Sequence, residues 1–415
     1  MKKSQAVVIG GGPAGSSAAY FLAKQGIKVN LIDKDSWPRD KICGGGLTTN
    51  CFPVLQKMGL MEELDKIADF KFTGYVIYSQ EGAKIQAPVR QRIGKGSEEI
   101  SYSYIIDRKV FDKILLDKAR EAGANIFTET EAVEVDISQD IIVETKQEEN
   151  FVCDVLVVAD GSGSSITRKF QQDVHKGSAI AIKSIFTGVK GLEEKMEFFL
   201  DDDVGFGYGW IFPIGRGRAN VGIGLDIAYL KQRNKNIRQL FAEMLERPLI
   251  KPRLEGAKME GKPQSFPLRM GFDLSSFRKG RVLFAGDAAR LVYPLNGEGI
   301  SYALQSGEVA ASVIADALKE PVDFCRLTRY ERQSAKVFSD FKAATRMQKL
   351  MGSPRIQRFV YNNSVYDDKL GQRAMGILEH SSDVKTFFNI RSIVQGFYIA
   401  FKRRMNKQKV DRGQK

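Results

Sequence analysis

Three short runs of consecutive apolar residues, each followed at once by glycine or aspartate, stand out in the hydrophobic pattern of this chain. They occupy residues 6–9, 155–159 and 282–285. Apolar runs without alternation are typical of strands that are buried on both faces of a parallel sheet. Stretches with the apolar spacing of helices follow them, at 13–24 and 108–122 among others. The pattern therefore predicts an α/β domain in which strands and helices alternate.

A different pattern, in which apolar and polar residues alternate, occupies residues 70–106 and about 176–266. Alternation with a period of two is typical of strands that have one buried face. Residues 132–144 predict a further hairpin by the same criterion, and the segment 176–266 also contains two stretches with the spacing of short helices. This part of the chain predicts antiparallel sheets.

Helical spacing returns in three further places. Residues 52–68 predict one helix, residues 327–351 predict another, and residues 384–401 have the broad apolar face of a third. The chain beyond Pro321 is therefore expected to be helical.

The first apolar run leads into glycines at positions 10, 12 and 15, the spacing G-x-G-x-x-G. Gly10 permits a tight turn, Gly12 lets a pyrophosphate approach the backbone, and Gly15 allows a helix to pack closely on the strand. The helix that starts there directs free N–H groups at phosphates. A second strand, residues 29–32, ends at Asp33, whose carboxylate can accept hydrogen bonds from both hydroxyls of an adenosine ribose. This order of elements predicts dinucleotide binding instead of a structural turn alone.

Size and composition narrow the classes of protein. A chain of 415 residues suggests two domains with a helical addition. No uninterrupted apolar run approaches the roughly 18 residues of a membrane span, and the core strand follows directly on residue 5, so we expect a cytoplasmic protein without a removable signal peptide. The four cysteines lack metal-ligand spacing and the two histidines lie in no catalytic motif. We therefore expect no metal site and a cofactor that performs the difficult chemistry.

The formal net charge of +13 is concentrated in part at the C-terminal end. No nucleic-acid-binding motif accompanies it, so we expect no nucleic-acid partner. Two interpretations stay open: a generally basic surface, or peripheral contact of residues 384–415 with an anionic membrane.

Several loops carry candidate ligand-binding residues. Residues 39–47 place three glycines beside Cys43, and a glycine-rich loop lets backbone approach a flat ring closely. Asp107 is a candidate N-cap for the helix that begins at Arg108. A cation in the first turn of a helix is unfavourable unless an anion such as a pyrophosphate lies in front of it. The alternative for Arg108 is a solvated charge.

The second and third apolar runs end in further candidates. Residues 160–165 form a flexible polar turn where backbone can meet a ligand. Asp287 can accept a hydrogen bond from a ribityl hydroxyl, and N–H groups near Gly297 and Gly299 can stabilise negative charge on a reduced flavin ring.

Four aromatic residues lie among glycines in residues 205–213, with the sequence GFGYGWIFP. Such a cluster is either part of the core or the wall of an apolar substrate cavity. The pattern alone favours neither interpretation.

Three separated segments together resemble the flavoprotein hydroxylase superfamily, whose cofactor is FAD: the N-terminal glycine fingerprint, Asp160-Gly161 and Gly286-Asp287. Within that superfamily, the motif K-x-C-G-G at residues 41–45, the motif YGWIFP at 208–213 and the motif P-L-x-G-E-G-I at 294–300 look like the geranylgeranyl reductase family. The match spans about residues 1–320. One departure is an arginine expected after the Asp-Gly turn, which appears one place late as Arg168.

The resemblance implies a Rossmann-type FAD-binding domain, an antiparallel-sheet substrate domain and a helical C-terminal region. The FAD-binding domain is predicted to comprise residues 1–70, 100–175 and 270–325. The substrate domain would comprise residues 71–99 and 176–269, and the helical region residues 326–415.

The implied activity is reduction of carbon–carbon double bonds in a prenyl chain or another apolar substrate. Arg108 would contact the FAD phosphates, and Cys43, Gly44 and Gly45 would lie by the flavin ring. The full set of predicted cofactor-binding residues is Gly10, Gly12, Pro13, Ala14, Gly15, Asp33, Lys34, Arg39, Cys43, Gly44, Gly45, Arg108, Asp160, Gly161, Gly286, Asp287, Gly297, Gly299 and Ile300. The predicted substrate-contacting residues are Tyr208, Trp210, Phe212 and Pro213. The candidates for catalysis are Cys43, Tyr208 and Glu298, with water as a further proton source.

Electrons would come from NADPH, bound transiently because the chain has no second nucleotide fingerprint, or from a ferredoxin-like donor. One alternative activity is that of an FAD-dependent monooxygenase or halogenase acting on an aromatic or polyketide-like substrate. The halogenase motif W-x-W-x-I-P is absent from the sequence. The residues also leave open a non-catalytic electron-transfer flavoprotein and a protein that binds anionic surfaces through its charge alone.

Overall fold

The computed structural model describes residues 1–351, except 81, 83, 95–96, 164, 172–177, 201–204 and 206, together with residues 353, 356 and 376. Its residues form two compact units. Unit 1 comprises Met1–Asp69, Tyr104–Ala181 and Ser265–Phe341. Unit 2 comprises Phe70–Ser103, Ile182–Gln264 and the described residues from Lys342 onward. The expected membrane contact of residues 384–415 lies outside the described residues.

Strands and helices alternate in the first unit, and strands predominate in the second. The strands of the described residues are β1 (Lys2–Ile9), β2 (Val29–Ile32), β3 (Gly46–Leu47), β4 (Phe70–Phe72), β5 (Gly74–Tyr78), β6 (Lys84–Pro88), β7 (Arg90–Gly94), β8 (Ser97–Ile100), β9 (Ser103–Ile105), β10 (Asn125–Phe127), β11 (Ala132–Asp136), β12 (Ile141–Thr145), β13 (Phe151–Val158), β14 (Ala179–Thr187), β15 (Lys195–Phe199), β16 (Tyr208–Pro213), β17 (Arg218–Asp226), β18 (Lys258–Leu268), β19 (Arg278–Lys279) and β20 (Val282–Phe284). The helices are α1 (Pro13–Lys24), α2 (Phe52–Lys57), α3 (Met61–Ile67), α4 (Arg108–Glu121), α5 (Ser165–Phe170), α6 (Ile227–Gln232), α7 (Ile237–Leu245), α8 (Lys251–Leu254), α9 (Ile300–Leu318), α10 (Arg329–Val337) and α11 (Phe341–Met351).

The central sheet of unit 1 has the order β10-β2-β1-β13-β12-β11, and β20 also pairs with β13. The strands β10, β2, β1, β13 and β20 pair in parallel, whereas β11, β12 and β13 pair in antiparallel fashion. The three apolar runs seen in the sequence are the buried inner strands β1, β13 and β20. The predicted α/β fold and the predicted hairpin are both confirmed.

The carboxyl ends of β1, β13 and β20 lie side by side because these strands are parallel neighbours. The loops that follow them carry the glycine fingerprint, Asp160-Gly161 and Gly286-Asp287 respectively. Ligands bind at this edge in open α/β sheets. The topology thus brings together three segments that are far apart in sequence.

Helix α1 packs closely against α9. A Cβ built at Gly307 in α9 would lie 2.3 Å from the carbonyl oxygen of Ala14 and 2.9 Å from the backbone nitrogen of Ala18. The Ser17 hydroxyl donates a hydrogen bond to the carbonyl oxygen of Leu304, 2.7 Å away. This close contact fixes α9 against the helix that follows the glycine loop.

The sequence pattern misplaced several helix boundaries. The single helix predicted over 52–68 is wrong, because the chain breaks between α2 and α3, where Gly59 has φ of +70°. The single helix predicted over 327–351 is also wrong, because α10 ends at Val337 and α11 begins at Phe341. The segment 176–266 contains three short helices, α6, α7 and α8, instead of two.

Unit 2 is built around a sheet of order β18-β14-β17-β16-β15-β5-β6. Strands β15, β16 and β17 pair in antiparallel fashion, as do β5 and β6, and β15 pairs with β5 in parallel. The predicted antiparallel sheet is confirmed, with one parallel pair inside it. No helix among the described residues is both long and apolar enough to cross a bilayer.

Candidate functional site

The glycine loop between β1 and α1 is shaped first by the packing of the chain itself. Gly10 has φ of +101°, and a Cβ there would lie 2.4 Å from the carbonyl oxygen of Ala159. A Cβ at Gly15 would lie only 1.8 Å from the carbonyl oxygen of Gly10. A Cβ at Gly12 would meet only the guanidinium of Arg39, at 3.4 Å. Gly10 and Gly15 are therefore required by the fold, whereas Gly12 leaves its backbone accessible beside a cation.

Helix α1 begins immediately at this loop, with Gly12 as its N-cap and Pro13 as its first residue. No side chain of the described structure caps it, and its first turn contains no acidic residue. The N–H groups of a first helical turn have no partner within the helix. Together with the positive end of the helix dipole, they form a binding place for a phosphate.

Asp33 lies buried at the end of β2 and faces the glycine loop. Its Oδ2 accepts a hydrogen bond from the backbone N–H of Gly11 at 2.6 Å, and its Oδ1 accepts one from the N–H of Asp35 at 2.8 Å. Burial raises the pKa of this carboxyl, and the two backbone donors oppose that shift. Each carboxylate oxygen has a second lone pair, so both can still accept a hydroxyl. The neighbouring Lys34 is exposed.

Arg108 is buried at the start of α4 and is paired with a residue that the sequence analysis missed. Its Nε and Nη2 donate to the two oxygens of Asp112 at 2.6 and 2.7 Å. Arg39 also reaches the same carboxylate, with Nη2 at 3.2 Å from Oδ2. Burial opposes the charge on Arg108, but Asp112 raises the pKa of the guanidinium above its ordinary value. The interpretation of Arg108 as a solvated charge is therefore wrong.

Arg39 also pairs with the partly exposed Asp35, whose Oδ2 lies 3.6 Å from Nε, so the cluster holds two guanidinium groups against two carboxylates, of which only that of Asp112 is buried. A third cation, Lys41, lies nearby, with its ammonium 3.1 Å from the ring centroid of Phe266. Burial, together with the charges of Arg39 and Arg108, lowers the pKa of Lys41 to about 8. The charge of Asp287 acts in the opposite direction. The side chain of Cys43 also interacts with Arg108 and adds to its pKa shift. An anion at this place would meet an excess of positive charge.

Asp160 follows β13 and is held by the start of the next helix. Its Oδ1 accepts a hydrogen bond from the hydroxyl of Thr167 at 2.7 Å, and its Oδ2 lies 3.3 Å from the N–H of Thr167. Burial raises the pKa of Asp160 to about 6, and Thr167 and Arg269 act in the opposite direction. Gly161 has φ of +83°, and a Cβ there would meet no atom within 4 Å. The Asp-Gly turn thus leaves open space on its outer side.

Asp287 and the start of α9 face each other. A Cβ built at Gly299, the N-cap of α9, would lie 3.6 Å from Oδ1 of Asp287. Gly297 has φ of +71°, which places the turn before the helix in a conformation that suits glycine. Oε1 of Glu298 lies 3.2 Å from the N–H of Ser301 and 3.2 Å from the hydroxyl of Thr48. The Glu298 carboxylate therefore faces the first turn of α9, and Ile300 is the first helical residue.

Gly45 and Gly286 are also held closely by the chain. Gly45 has φ of +81°, and a Cβ there would lie 2.9 Å from the carbonyl oxygen of Ile106. Gly286 has φ of +62°, and a Cβ there would lie 2.9 Å from Cβ of Ala14. Both glycines are explained by packing, which does not depend on a ligand.

The sequence analysis also missed a buried arginine at this edge of the sheet. Arg269 is 3% exposed, and its Nη2 donates a hydrogen bond to Oε1 of Gln171 at 3.2 Å. Burial lowers the pKa of Arg269, and so does the neighbouring Arg290, whereas Asp160 and Asp287 raise it. Sequence offered no signal for Arg269, because no motif surrounds it.

The aromatic segment of unit 2 forms one face of strand β16. Tyr208, Trp210 and Phe212 occupy alternate positions, and Phe198 on β15 lies 5.2 Å from the rings of Tyr208 and Phe212. Pro213 ends the strand. Trp210 and Phe212 are each 6% exposed.

Glycine makes room for these rings on the neighbouring strand. Gly222 is the partner of Trp210 across the ladder, and a Cβ there would lie 2.2 Å from Cζ2 of the indole. The indole N–H donates to Oδ1 of Asn220 at 3.0 Å. On the opposite face of β16, a Cβ at Gly209 would lie 2.5 Å from the sulfur of Met244 in α7. Helix α7 therefore covers the face that the aromatic rings do not occupy.

The structure thus brings most of the predicted cofactor-binding residues to one edge of the unit 1 sheet. Lys34 is exposed, while the predicted substrate-contacting residues Tyr208, Trp210 and Phe212 share one face of β16 in unit 2. Three residues that lie beside the glycine loop or beside Arg39 were not predicted as site residues: Trp37, Lys41 and Asp112. Asp112 carried a usable signal, since it stands four positions after Arg108 on the same helix face.

Comparisons with known proteins identify the family of this chain. The model of a family described as "FAD binding domain" matches residues 3–344. The menaquinone reductase of Mycobacterium tuberculosis is 31% identical over 328 residues, which cover 74% of this chain and 76% of that protein. The digeranylgeranylglycerophospholipid reductase of Methanocaldococcus jannaschii is 31% identical over 328 residues, which cover 75% of this chain and 77% of that protein.

A solved structure shows the same fold. The geranylgeranyl bacteriochlorophyll reductase-like protein of Thermoplasma acidophilum superposes with a TM-score of 0.76 at 23% identity, covering 93% of this chain and 99% of that one. At this identity the likeness establishes the fold alone.

Proposed function

Because this chain belongs to the FAD-binding domain family, and within it to the geranylgeranyl reductase family, we propose that it reduces carbon–carbon double bonds in the prenyl chain of a lipid. The protein is an FAD-dependent oxidoreductase. The substrate class and the residues assigned below are our proposal.

The observation that carries the substrate class is the aromatic face of β16. Its one indole N–H is satisfied within the chain by Asn220, so Trp210 leaves no polar atom that a ligand would have to pair. A prenyl chain offers no hydrogen-bonding group, and a site for it must satisfy its own polar atoms internally. Phe198 and Phe212 extend the same apolar face. The apolar character of this face favours a hydrocarbon chain over a polar aromatic acid as the substrate.

The residues at the edge of the unit 1 sheet fit FAD. The free first turn of α1, together with Arg39 and Arg108, would hold the diphosphate, and Asp33 would accept the ribose hydroxyls. Asp287 would accept a ribityl hydroxyl, and the N–H groups at Gly297, Gly299 and Ile300 would face the ring. Other residues proposed to lie along the cofactor are Gly10, Gly12, Pro13, Ala14, Gly15, Lys34, Cys43, Gly44, Gly45, Asp160, Gly161 and Gly286.

When bound and reduced, FAD supplies the hydride for one alkene carbon. The protein must deliver a proton to the other carbon, and it must exclude water while it does so. Oε1 of Glu298 accepts hydrogen bonds from the N–H of Ser301 and from the hydroxyl of Thr48, which ties this side chain to the first turn of α9. We therefore assign Glu298 to positioning the start of α9 and Tyr208 to proton donation. Cys43 is assigned a positioning role beside Arg108.

Electrons would reach the flavin from NADPH or from a ferredoxin-like donor. The experiment that tests the function therefore bypasses the donor. The bound flavin is photoreduced without oxygen, and prenylated lipids of two kinds are added: a prenylated quinone and a geranylgeranyl glycerophospholipid. Reoxidation of the flavin with a gain of two hydrogen atoms per reduced bond supports the proposal. Reoxidation by oxygen alone, with no change in either lipid, would contradict it and favour the monooxygenase or halogenase alternative.

The proton donor has a separate test in the same assay. Tyr208→Phe should slow lipid reduction by about 100-fold or more, the usual contribution of a general acid, while the exposed Tyr102→Phe serves as a matched control. The unmodified protein should show a solvent deuterium isotope effect on lipid reduction, and this effect should change in Tyr208→Phe. Unaltered rates in Tyr208→Phe would refute this assignment and leave the reductase activity standing.

A further inference from the structure

Trp37 contains a buried polar group that the described structure leaves unused. It lies in the loop after β2, and its Nε1 is buried without a hydrogen-bond partner among the described residues. A buried tryptophan N–H usually finds an acceptor. Leaving such a donor unsatisfied carries the full desolvation penalty of the N–H group. The indole N–H is therefore a candidate for contact with a bound molecule.

The surroundings of Trp37 indicate which molecule. A Cβ built at Gly11 would lie 2.9 Å from Cζ2 of the indole and 3.2 Å from Oδ2 of Asp33. The indole edge, the second glycine of the loop and the Asp33 carboxylate thus converge at one place. The guanidinium carbon of Arg39 lies 4.6 Å from the centroid of the indole, which holds the ring in position from its face.

The two polar groups at this place are complementary. An ionised Asp33 has no donor and can only accept hydrogen bonds. Its oxygens already accept them from the N–H groups of Gly11 and Asp35. Trp37 can only donate. A ligand that both donates and accepts at neighbouring atoms, as adenosine does through its ribose hydroxyls and ring nitrogens, would satisfy both groups at once.

We propose that Trp37 binds the adenosine part of FAD by donating its Nε1–H to a ribose hydroxyl oxygen or an adenine nitrogen. Asp33 accepts hydrogen bonds from the ribose hydroxyls, and Trp37 donates one to the same nucleoside. Arg39 stacks on the face of the indole and holds it in position. This inference rests on the proposed placement of FAD at the glycine loop and is independent of the lipid substrate. It makes Trp37 a residue that selects flavin dinucleotides over flavin mononucleotides.

The test compares FAD with FMN, which lacks adenosine. The full-length protein is stripped of flavin, and the dissociation constants of FAD and FMN are measured by isothermal titration for the unmodified chain, Trp37→Phe and Trp210→Phe. Trp37→Phe keeps an aromatic ring and removes the N–H. We expect it to weaken FAD binding about tenfold, the effect of one lost hydrogen bond, and to change FMN binding less than about twofold, because FMN makes no contact with the indole. Trp210→Phe is the matched control, and its ratio of FMN to FAD affinity should equal that of the unmodified chain.

A second readout does not need flavin. The chain has two tryptophans, so Trp210→Phe reports the emission of Trp37 alone and Trp37→Phe reports that of Trp210 alone. ADP should alter the emission of Trp37 and leave that of Trp210 unchanged.

The outcomes separate the two proposals. If the unmodified chain binds no FAD, both the cofactor site and the role of Trp37 fail. If the unmodified chain binds FAD, two results would refute the role of Trp37 and leave the cofactor site standing. One is that Trp37→Phe binds FAD as tightly as the unmodified chain, and the other is that it loses FAD and FMN affinity to the same extent.

Discussion

Asp112 offers the sharpest test of the electrostatics of the candidate cofactor site. Its carboxylate is fully buried, and it is within 2.6 and 2.7 Å of two nitrogens of Arg108 and 3.2 Å from a nitrogen of Arg39. Asp112→Asn keeps the shape of the side chain and one acceptor oxygen but removes the charge. Two guanidinium groups would then lie in a poorly solvated place without their shared anion.

The magnitude of the effect follows from the burial of this ion pair. Removing one partner of a buried ion pair lowers the free energy of unfolding by about 3–5 kcal/mol. The lower end applies here, because the asparagine still accepts one hydrogen bond. A decrease of about 3 kcal/mol corresponds to a fall in the melting temperature of about 6–12 °C for a unit of this size. The assay is thermal unfolding of the flavin-free protein, followed by circular dichroism.

The matched control lies on the same helix. Asp117 pairs with Lys113 and with Arg120 on the surface, and its side chain is 34% exposed. Pairs of this kind contribute about 0–1 kcal/mol, so Asp117→Asn should leave the melting temperature nearly unchanged. Saturating FAD should restore part of the stability that Asp112→Asn removes, because the diphosphate would supply negative charge to the two arginines. Equal melting temperatures of Asp112→Asn and Asp117→Asn would refute the reasoning.

Three further perturbations test the packing and the pH behaviour of the structure. Gly307→Ala should lower the free energy of unfolding by about 2–3 kcal/mol, because the added Cβ would lie 2.3 Å from a carbonyl oxygen of α1. Chemical denaturation measures this decrease. Gly163→Ala is the control and should show no such decrease, because its added Cβ meets nothing within 4 Å. Gly222→Ala should displace the indole of Trp210, whose Cζ2 lies 2.2 Å from the added Cβ, and an unchanged near-ultraviolet circular dichroism spectrum would contradict this. Asp160 has a pKa raised from 3.8 to about 6 in the folded, flavin-free protein, so the folded state holds its proton more tightly and stability falls as the pH rises through this window. Asp160→Asn should remove this pH dependence of the free energy of unfolding. Unfolding experiments should find the variant more stable than the unmodified chain by up to about 3 kcal/mol near neutral pH, and equally stable below the ordinary pKa of the carboxyl. Parallel pH profiles of the two proteins would exclude Asp160 as the cause.

The sequence by itself determined the elements whose signals are local. The apolar runs at 6–9, 155–159 and 282–285 identified the buried strands, since side chains buried on both faces of a sheet must all be apolar. Asp107 was predicted as an N-cap, and its side chain accepts the N–H of Lys109 at 2.8 Å. The spacing of apolar residues did not predict helix breaks that lack a strong sequence signal, such as the break at residues 338–340. It also could not decide whether Arg108 was solvated or buried.

Only the tertiary structure decided which distant residues share one environment. Arg39 and Arg108 share the carboxylate of Asp112 across a long separation in the chain, and Trp37 meets the glycine loop through the packing of its own loop. The shifted pKa values of Lys41 and Asp160 likewise depend on burial by elements far away in sequence. The physical reason is that caps, turns and periodicity arise within a few residues of each other. Desolvation and charge pairing depend on how the strands are ordered and on what then packs over their ends.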